Sequence, residues 1–154
     1  SECLPAETRQ ISPGLHIFTS NALVHKTILD LVPFDDGFKG WGWEDVDWGI
    51  RIAEKFPIHH IDNTATHLGI DRDEDLIRKY GGSGSNFARL IEKHPQLSTQ
   101  MKLAGLVQRL RWLPFPGFWA VLAKRAAASK TIPIRLRLKA LKAFRAFSYV
   151  RDRS

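Results

Sequence analysis

Apolar residues recur three or four positions apart over residues 44–55, which is the spacing of one face of an amphipathic helix. The same criterion predicts helices at residues 73–79 and 86–93. A Gly/Ser-rich stretch, residues 81–85, is predicted to separate these two helices. From residue 97 onward the pattern is helical again, with interruptions at prolines.

Short apolar runs alternate with these segments in the first part of the chain. Residues 15–18 and 58–61 are predicted strands, and residues 65–68 are predicted to be extended. Asn21 is predicted to cap a helix over residues 22–31. The expected organisation is therefore an irregular lead-in (1–14), a mixed central region (15–96) and a helical tail (97–154).

Charge divides the chain more sharply than hydrophobicity does. Residues 1–101 hold 10 Lys/Arg and 15 Asp/Glu, a balance of −5, whereas residues 102–154 hold 13 Lys/Arg and one acid, a balance of +12. Cys3 is the only cysteine, which excludes an internal disulfide and allows a cytosolic setting. The start at Ser1, without a signal-peptide pattern, predicts a fragment or a processed product.

Residues 37–52, GFKGWGWEDVDWGIRI, carry the most distinctive chemistry. Acids in the first turn of a helix are stabilised by about 0.3–1 kcal/mol each, and Asp47 is four positions from Arg51, so that pair is predicted to be structural. These effects do not explain the preceding residues 40–43, Gly-Trp-Gly-Trp. Tryptophan faces bind the apolar faces of sugar rings, and an apolar wall raises the proton affinity of a carboxylate, as a general base requires.

The pattern Phe-Asp-x-x-Phe-x-Gly-Trp-Gly-x-Glu-Asp-x-Asp-x-x-x-Arg, residues 34–51, resembles the acceptor-side motif of GT-A glycosyltransferases. It is similar to the motif of the family-2 enzymes and the β-1,4-galactosyltransferases. Asn21, the segment 65–69 and the segment 79–95 match further features of these enzymes in the same order. The resemblance covers residues 15–96 and implies an α/β fold, here the C-terminal half of a GT-A fold followed by a basic helical tail.

The resemblance also implies a role for each matching residue. Asp45 corresponds to the base that takes a proton from the acceptor hydroxyl, and His67 corresponds to a ligand of the divalent metal, Mn²⁺ or Mg²⁺; a structural histidine is the equal alternative for His67. Asp45 and Asp47 spell Asp-x-Asp, but helical neighbours two positions apart point about 200° away from each other and cannot readily hold one ion. The acceptor-binding residues implied are Glu44, Trp41, Trp43, Gly42 and Asn21.

The basic tail allows three interpretations. Its Lys/Arg residues alternate with Leu, Phe and Trp, a composition typical of helices on an anionic membrane surface. A helical appendage with solvated basic residues is the second interpretation. Nucleic-acid binding is the least favoured, because no helix-turn-helix, zinc-finger or RNA-binding signature is present. The longest uncharged apolar run, residues 112–123, is too short and proline-rich to predict a transmembrane helix.

The expected function is inverting transfer of a sugar from a nucleotide-sugar to a carbohydrate or glycolipid, with Asp45 as base. Residues 102–154 are expected to contact an anionic membrane surface, and the expected location is the cytoplasm or the cytoplasmic face of the membrane. No nucleic-acid partner is expected. Two other function classes remain open: a non-catalytic carbohydrate-binding remnant, and a basic peripheral-membrane or nucleic-acid-binding module with a structural acidic motif.

Overall fold

A computed structural model describes residues 4–63, 65–66, 69 and 71–151. At Arg151 it describes the backbone and not the side chain. Within these residues every regular element is a helix, and there is no β-strand. The expected α/β fold, the C-terminal half of a GT-A fold, is therefore wrong. The predicted strand at 15–18 is replaced in part by a 3₁₀ helix, Pro13–His16, and residues 58–61 have no regular secondary structure.

The chain divides into two compact units, of which the first comprises Ser1–Lys39 and Trp43–Gly69. Its α-helices are α1 (Ala6–Gln10), α2 (Lys26–Leu31) and α3 (Glu44–Ala53). Two 3₁₀ helices, Pro13–His16 and Thr19–Asn21, lie between α1 and α2. The helix predicted at 44–55 is thus present, and its last two predicted residues form a turn.

Trp48 on α3 is the centre of the hydrophobic core in the first unit. It packs with Ile17, Val32 and Ile52, and its indole Nε1 donates a 2.7 Å hydrogen bond to the Val32 carbonyl oxygen. Phe34 stacks on the Trp48 ring with a centroid separation of 4.5 Å. The helical spacing of the apolar residues in α3 therefore determines which face is buried.

The second unit comprises Gly40–Gly42 and Ile70–Ser154. Its helices follow one another along the chain as α4 (Asp73–Gly82), α5 (Gly84–Lys93), α6 (Leu97–Gln100), α7 (Lys102–Leu110), α8 (Pro116–Ala128) and α9 (Ile134–Arg151). The longest helix, α9, packs against α4, α5, α7 and α8. No helix in the described part of the chain is both long and apolar enough to cross a membrane.

Two sequence predictions about helix ends have different outcomes. Asn21 does not cap a helix over residues 22–31, because the helix starts at Lys26 and His25 Nδ1 accepts the capping hydrogen bond from the Thr27 backbone, at 3.3 Å. The stretch 81–85 does separate two helices, but only at Ser83, because α4 runs through Gly81 and Gly82 and α5 begins at Gly84. Packing against α9 favours the helical backbone there despite the low propensity of glycine.

Candidate active site

The backbone immediately before α3 is in the left-handed region at three of four residues. Gly40 and Gly42 have φ angles of +74° and +100°, and Trp43 has a φ angle of +79°. A tryptophan pays a steric cost in this conformation, of the order of 1 kcal/mol, and such residues cluster at functional sites. The Trp43 carbonyl oxygen accepts the first helical hydrogen bond of α3, from the Asp47 nitrogen at 3.0 Å.

Asp45 lies in the first turn of α3 and is half-buried. Its Oδ2 atom accepts hydrogen bonds from the backbone nitrogen and the Oγ1 hydroxyl of Thr19, both at 3.3 Å. Within the described residues, Oδ1 has no hydrogen-bond donor and neither oxygen has a cationic partner. Thr19 thus orients the carboxylate through one of its two oxygens.

Glu44 presents a second carboxylate one residue earlier. Its side chain is half-buried, and its Oε2 atom is buried without a hydrogen-bond partner in the part of the chain that the structure describes. Buried carboxylate oxygens in folded proteins are almost always paired, because losing their hydration is costly. A hydroxyl group is a donor that would satisfy this atom.

Asp47 has quite different surroundings from its two acidic neighbours. It is fully buried, and its Oδ2 atom accepts a 2.8 Å hydrogen bond from Arg51 Nε. Arg51 also donates from Nη1 to the Pro33 carbonyl oxygen, at 2.8 Å. The ion pair lies within α3, as the spacing predicts, and the hydrogen bond from Arg51 to Pro33 ties α3 to the segment after α2.

Asn21 lies at the end of the second 3₁₀ helix, and its amide is engaged by another amide. Its Nδ2 atom donates to the Asn63 carbonyl oxygen at 3.2 Å, and its Oδ1 atom accepts from Asn63 Nδ2 at 3.0 Å. Asn21 is exposed and two residues from Thr19, the partner of Asp45. It joins two loops of the first unit, and its acceptor-binding role stays a prediction.

Trp41 belongs to the second unit, where its indole is 42% exposed. Its ring centroid is 5.6 Å from that of Tyr80, and Lys79 Nζ lies 5.7 Å from the Trp41 centroid. Lys79 is held by both oxygens of Asp71, at 2.7 and 2.8 Å. An exposed aromatic face beside charged hydrogen-bonding groups is a surface suited to a sugar ring.

Two polar contacts, one within each unit, were missed by sequence reasoning. Thr19 orients Asp45 across 26 positions, and nothing in its local sequence indicates that contact. Asn86 is almost completely buried, and its Nδ2 atom donates to the Gly42 carbonyl oxygen at 3.0 Å. The signal for Asn86 was available, because a polar amide on the apolar face of a predicted helix requires a buried partner.

The predicted metal ligand, His67, lies outside the described residues. Within them, no group of three or more His, Cys, Asp or Glu side chains could hold a metal ion. The Mn²⁺ or Mg²⁺ implied by the resemblance therefore stays a prediction.

Two other histidines of the first unit, His16 and His60, have no role in the predicted site. The rings of His16 and His60 are 6.4 Å apart, and His60 Nε2 is 3.0 Å from the Pro13 carbonyl oxygen. Burial lowers the pKa of His16, and the nearby His60 and Arg9 lower that pKa further. A lowered pKa favours the neutral imidazole, which packs at lower desolvation cost.

Comparison with protein-family models, with curated proteins and with solved structures gives no match to this chain.

Proposed function

We propose that this chain provides the acceptor side of an inverting glycosyltransferase, with Asp45 as the general base. The carrying observation is the arrangement of the Asp45 carboxylate, in which Thr19 orients Oδ2 and Oδ1 is left without a donor among the described residues. Asp47, two positions away, is instead neutralised by Arg51. Asp45 is therefore better suited than Asp47 to accept a proton from a ligand.

In the proposed reaction, the acceptor hydroxyl transfers its proton to Asp45 as its oxygen attacks the anomeric carbon of a nucleotide-sugar. A new bond forms between that oxygen and the anomeric carbon, and the bond from the carbon to the diphosphate breaks. The nucleoside diphosphate leaves with the electron pair, and displacement from the opposite side inverts the configuration. The residues of this chain are assigned only proton acceptance and hydrogen bonding, and no step is assigned to a metal ion.

Acceptor binding is proposed for each of three residues by itself, for Glu44 and Trp43 in the first unit and for Trp41 in the second unit. The buried Oε2 of Glu44 lacks a donor in the described residues, which supports a hydrogen bond to an acceptor hydroxyl. The exposure of Trp41 supports stacking of a sugar ring on its indole. The left-handed backbone at Trp43 is strained, and strained backbone often occurs at functional sites, which supports a binding role for Trp43. The proposed location remains the cytoplasm or the cytoplasmic face of a membrane.

The all-helical architecture changes which observations support this proposal. Because the expected GT-A half is wrong, fold similarity contributes nothing, and the support consists of the residue pattern at 34–51 and the surroundings of Asp45. A site must be argued from its own geometry in any case, because one fold hosts many functions and one chemistry occurs on many folds.

Replacement of Asp45 by asparagine tests the proposed base directly. Asparagine keeps an oxygen that can accept from Thr19 but has almost no proton affinity, so we expect turnover to fall by roughly 10²- to 10⁴-fold with acceptor affinity largely retained. Release of nucleoside diphosphate would be measured with a panel of nucleotide-sugars and oligosaccharides. Asp36→Asn, the same change at an exposed aspartate, is the matched control and should retain wild-type turnover. Unchanged turnover of Asp45→Asn would remove Asp45 as the base.

Carbohydrate binding without catalysis is the second candidate function, and the exposed Trp41 beside Lys79 and Tyr80 favours it. It predicts that oligosaccharides bind while no nucleotide-sugar supports turnover. In that case Trp41→Ala should weaken binding by about tenfold or more, since aromatic contacts dominate such sites. Turnover by the wild-type chain, lost in Asp45→Asn, would decide for the enzyme.

A further inference from the structure

The second unit presents an apolar surface to solvent around the turn between α7 and α8. Trp112, Phe115 and Phe118 are 89%, 78% and 62% exposed, and Val121 and Leu122 are about half exposed. We name these five residues the aromatic turn surface. Isolated exposed apolar residues are ordinary, but such a concentration marks an interaction site.

Helix α8 carries apolar residues on its outer side as well as on its packed side. Ala120 and Ala127 are buried on the side that packs along α9, whereas Phe118 and Leu122 are exposed. The exposed cations Lys124 and Arg125 follow these apolar residues in the same helix. Exposed apolar and basic residues on one helix are typical of a helix that lies at a membrane surface.

Hydrogen bonds hold the turn before α8 in a defined conformation. Phe115 has left-handed backbone angles, with φ at +56°, and its carbonyl oxygen accepts from the nitrogens of Phe118 and Trp119, at 3.0 and 3.4 Å. The Trp119 indole donates to the Pro114 carbonyl oxygen at 3.1 Å. A strained turn fixed by its own hydrogen bonds, with its largest side chains outward, is a feature of functional sites.

Several cations lie close in sequence to this surface, and Glu74 of α4 lines a cavity together with Val121 and Lys124. Arg109, Arg111, Lys124 and Arg125 are exposed, and none has a carboxylate partner within the described residues. Arg125 shares one face of α8 with Phe118 and Leu122, because the three are spaced at four and three positions. Residues 102–154 contain one acid, Asp152, against 13 Lys/Arg. The chain segment that carries the apolar surface is therefore strongly basic.

We propose that the aromatic turn surface inserts into the interface of an anionic lipid bilayer. Apolar and aromatic side chains would enter the boundary between head groups and acyl chains, and the surrounding Lys/Arg side chains would contact anionic head groups. Two copies of the chain would bring more unpaired cations than acids together at this surface. Charge complementarity thus favours anionic lipid over self-association. This inference does not depend on the proposed glycosyltransferase activity.

The experiment measures co-sedimentation of the whole chain with vesicles. We expect binding to vesicles of equal parts phosphatidylcholine and phosphatidylglycerol, and much weaker binding to phosphatidylcholine alone. Trp112→Ser combined with Phe118→Ser should weaken binding to the mixed vesicles by about tenfold or more, because two inserted aromatic groups are lost. The matched control is Ile11→Ser with Leu23→Ser, two highly exposed residues of the first unit, and it should bind like the wild type.

A second measurement locates the inserted residues. Lipids brominated along the acyl chains should quench tryptophan emission, and Trp112→Phe, which keeps an aromatic group, should retain binding and lose part of the quenching. The proposal is overturned if the serine double variant binds mixed vesicles as the wild type does, or if the wild type binds neither kind of vesicle. It is also overturned if the same substitutions abolish self-association in the absence of lipid, or if single-stranded oligonucleotides bind this surface while vesicles do not.

Discussion

Two glycines determine how closely the first 3₁₀ helix approaches α3. A Cβ atom at Gly49 would lie 2.3 Å from the Gly14 carbonyl oxygen, and one at Gly14 would lie 2.8 Å from the Gly49 carbonyl oxygen. Both obstacles are backbone atoms, which cannot turn aside as a side chain does. This contact fixes the start of the segment that leads through Ile17 to Thr19, the residue that orients Asp45.

Replacing Gly49 by alanine should therefore destabilise the protein by about 1–3 kcal/mol or more, because the new methyl group forces two backbone segments apart. The measurement is the free energy of unfolding from denaturant titration. Gly105→Ala, in the middle of α7 with no atom within 4 Å of its added Cβ, is the matched control. It should be neutral or stabilise by about 0.5–1 kcal/mol. Equal stability of the two variants would contradict the close contact.

The three acids at the start of α3 show what sequence can and cannot predict at a site. The pairing of Asp47 with Arg51 follows from their spacing on a helix, so it could be predicted. The contact of Asp45 with Thr19 could not, because it joins positions 26 residues apart across irregular backbone. Local sequence carries information about helical neighbours, whereas loop contacts depend on the tertiary packing of both segments.

Helix α9 organises the second unit, and its Tyr149 makes the most deeply buried polar contacts. The Tyr149 hydroxyl lies 2.5 Å from Ser83 Oγ and accepts a 2.8 Å hydrogen bond from Arg145 Nε. Its ring stacks on Phe87 of α5 with centroids 4.8 Å apart. The residue thus joins α9 to the junction of α4 and α5 by both polar and apolar contacts.

Tyr149→Phe should lower the free energy of unfolding by about 1–3 kcal/mol, since it removes the hydroxyl from buried partners and keeps the ring. Ser83→Ala combined with it should cost less than the sum of the single changes, by about 0.5 kcal/mol or more. Tyr80→Phe, whose hydroxyl makes no hydrogen bond in the described residues, is the control and should be nearly neutral. Strict additivity would show that the two hydroxyls do not interact.

Element type was predictable where apolar spacing extends over several turns and not where a segment is short. Helices α3, α4 and α5 follow from their periodic apolar faces. The runs at 15–18 and 58–61 contain four residues each, and such a run is equally compatible with a strand, a 3₁₀ turn or an extended loop. Neither forms a strand, because pairing requires a partner strand and none is present in the described residues.

At the scale of the whole molecule, the net charge of +7 conceals two opposite contributions. Residues 1–101 contribute −5 and residues 102–154 contribute +12. Part of the basic charge is used within the fold, as in the ion pair between Arg137 and Asp73. Exposed cations such as Arg109 and Lys124 have no such pair in the described residues. The charge available to an external partner is therefore concentrated in the second unit.

This concentration predicts how salt should affect binding to anionic vesicles. Raising the ionic strength from 0.1 M to 1 M shortens the Debye length from about 10 Å to about 3 Å, so cations contributing about 1 kcal/mol each should lose most of their effect. We expect the partition constant to fall by more than about tenfold, with a smaller fall for Lys124→Gln/Arg125→Gln.

The control variant Lys26→Gln/Lys55→Gln changes exposed cations of the first unit. Its partition constant should depend on ionic strength with the same slope as that of the wild type. Trp112→Ser/Phe118→Ser should bind more weakly at every salt concentration with an unchanged slope, because it alters apolar insertion alone. Salt-independent binding would exclude the electrostatic contribution, and a changed slope in the serine variant would contradict the separation of the two contributions.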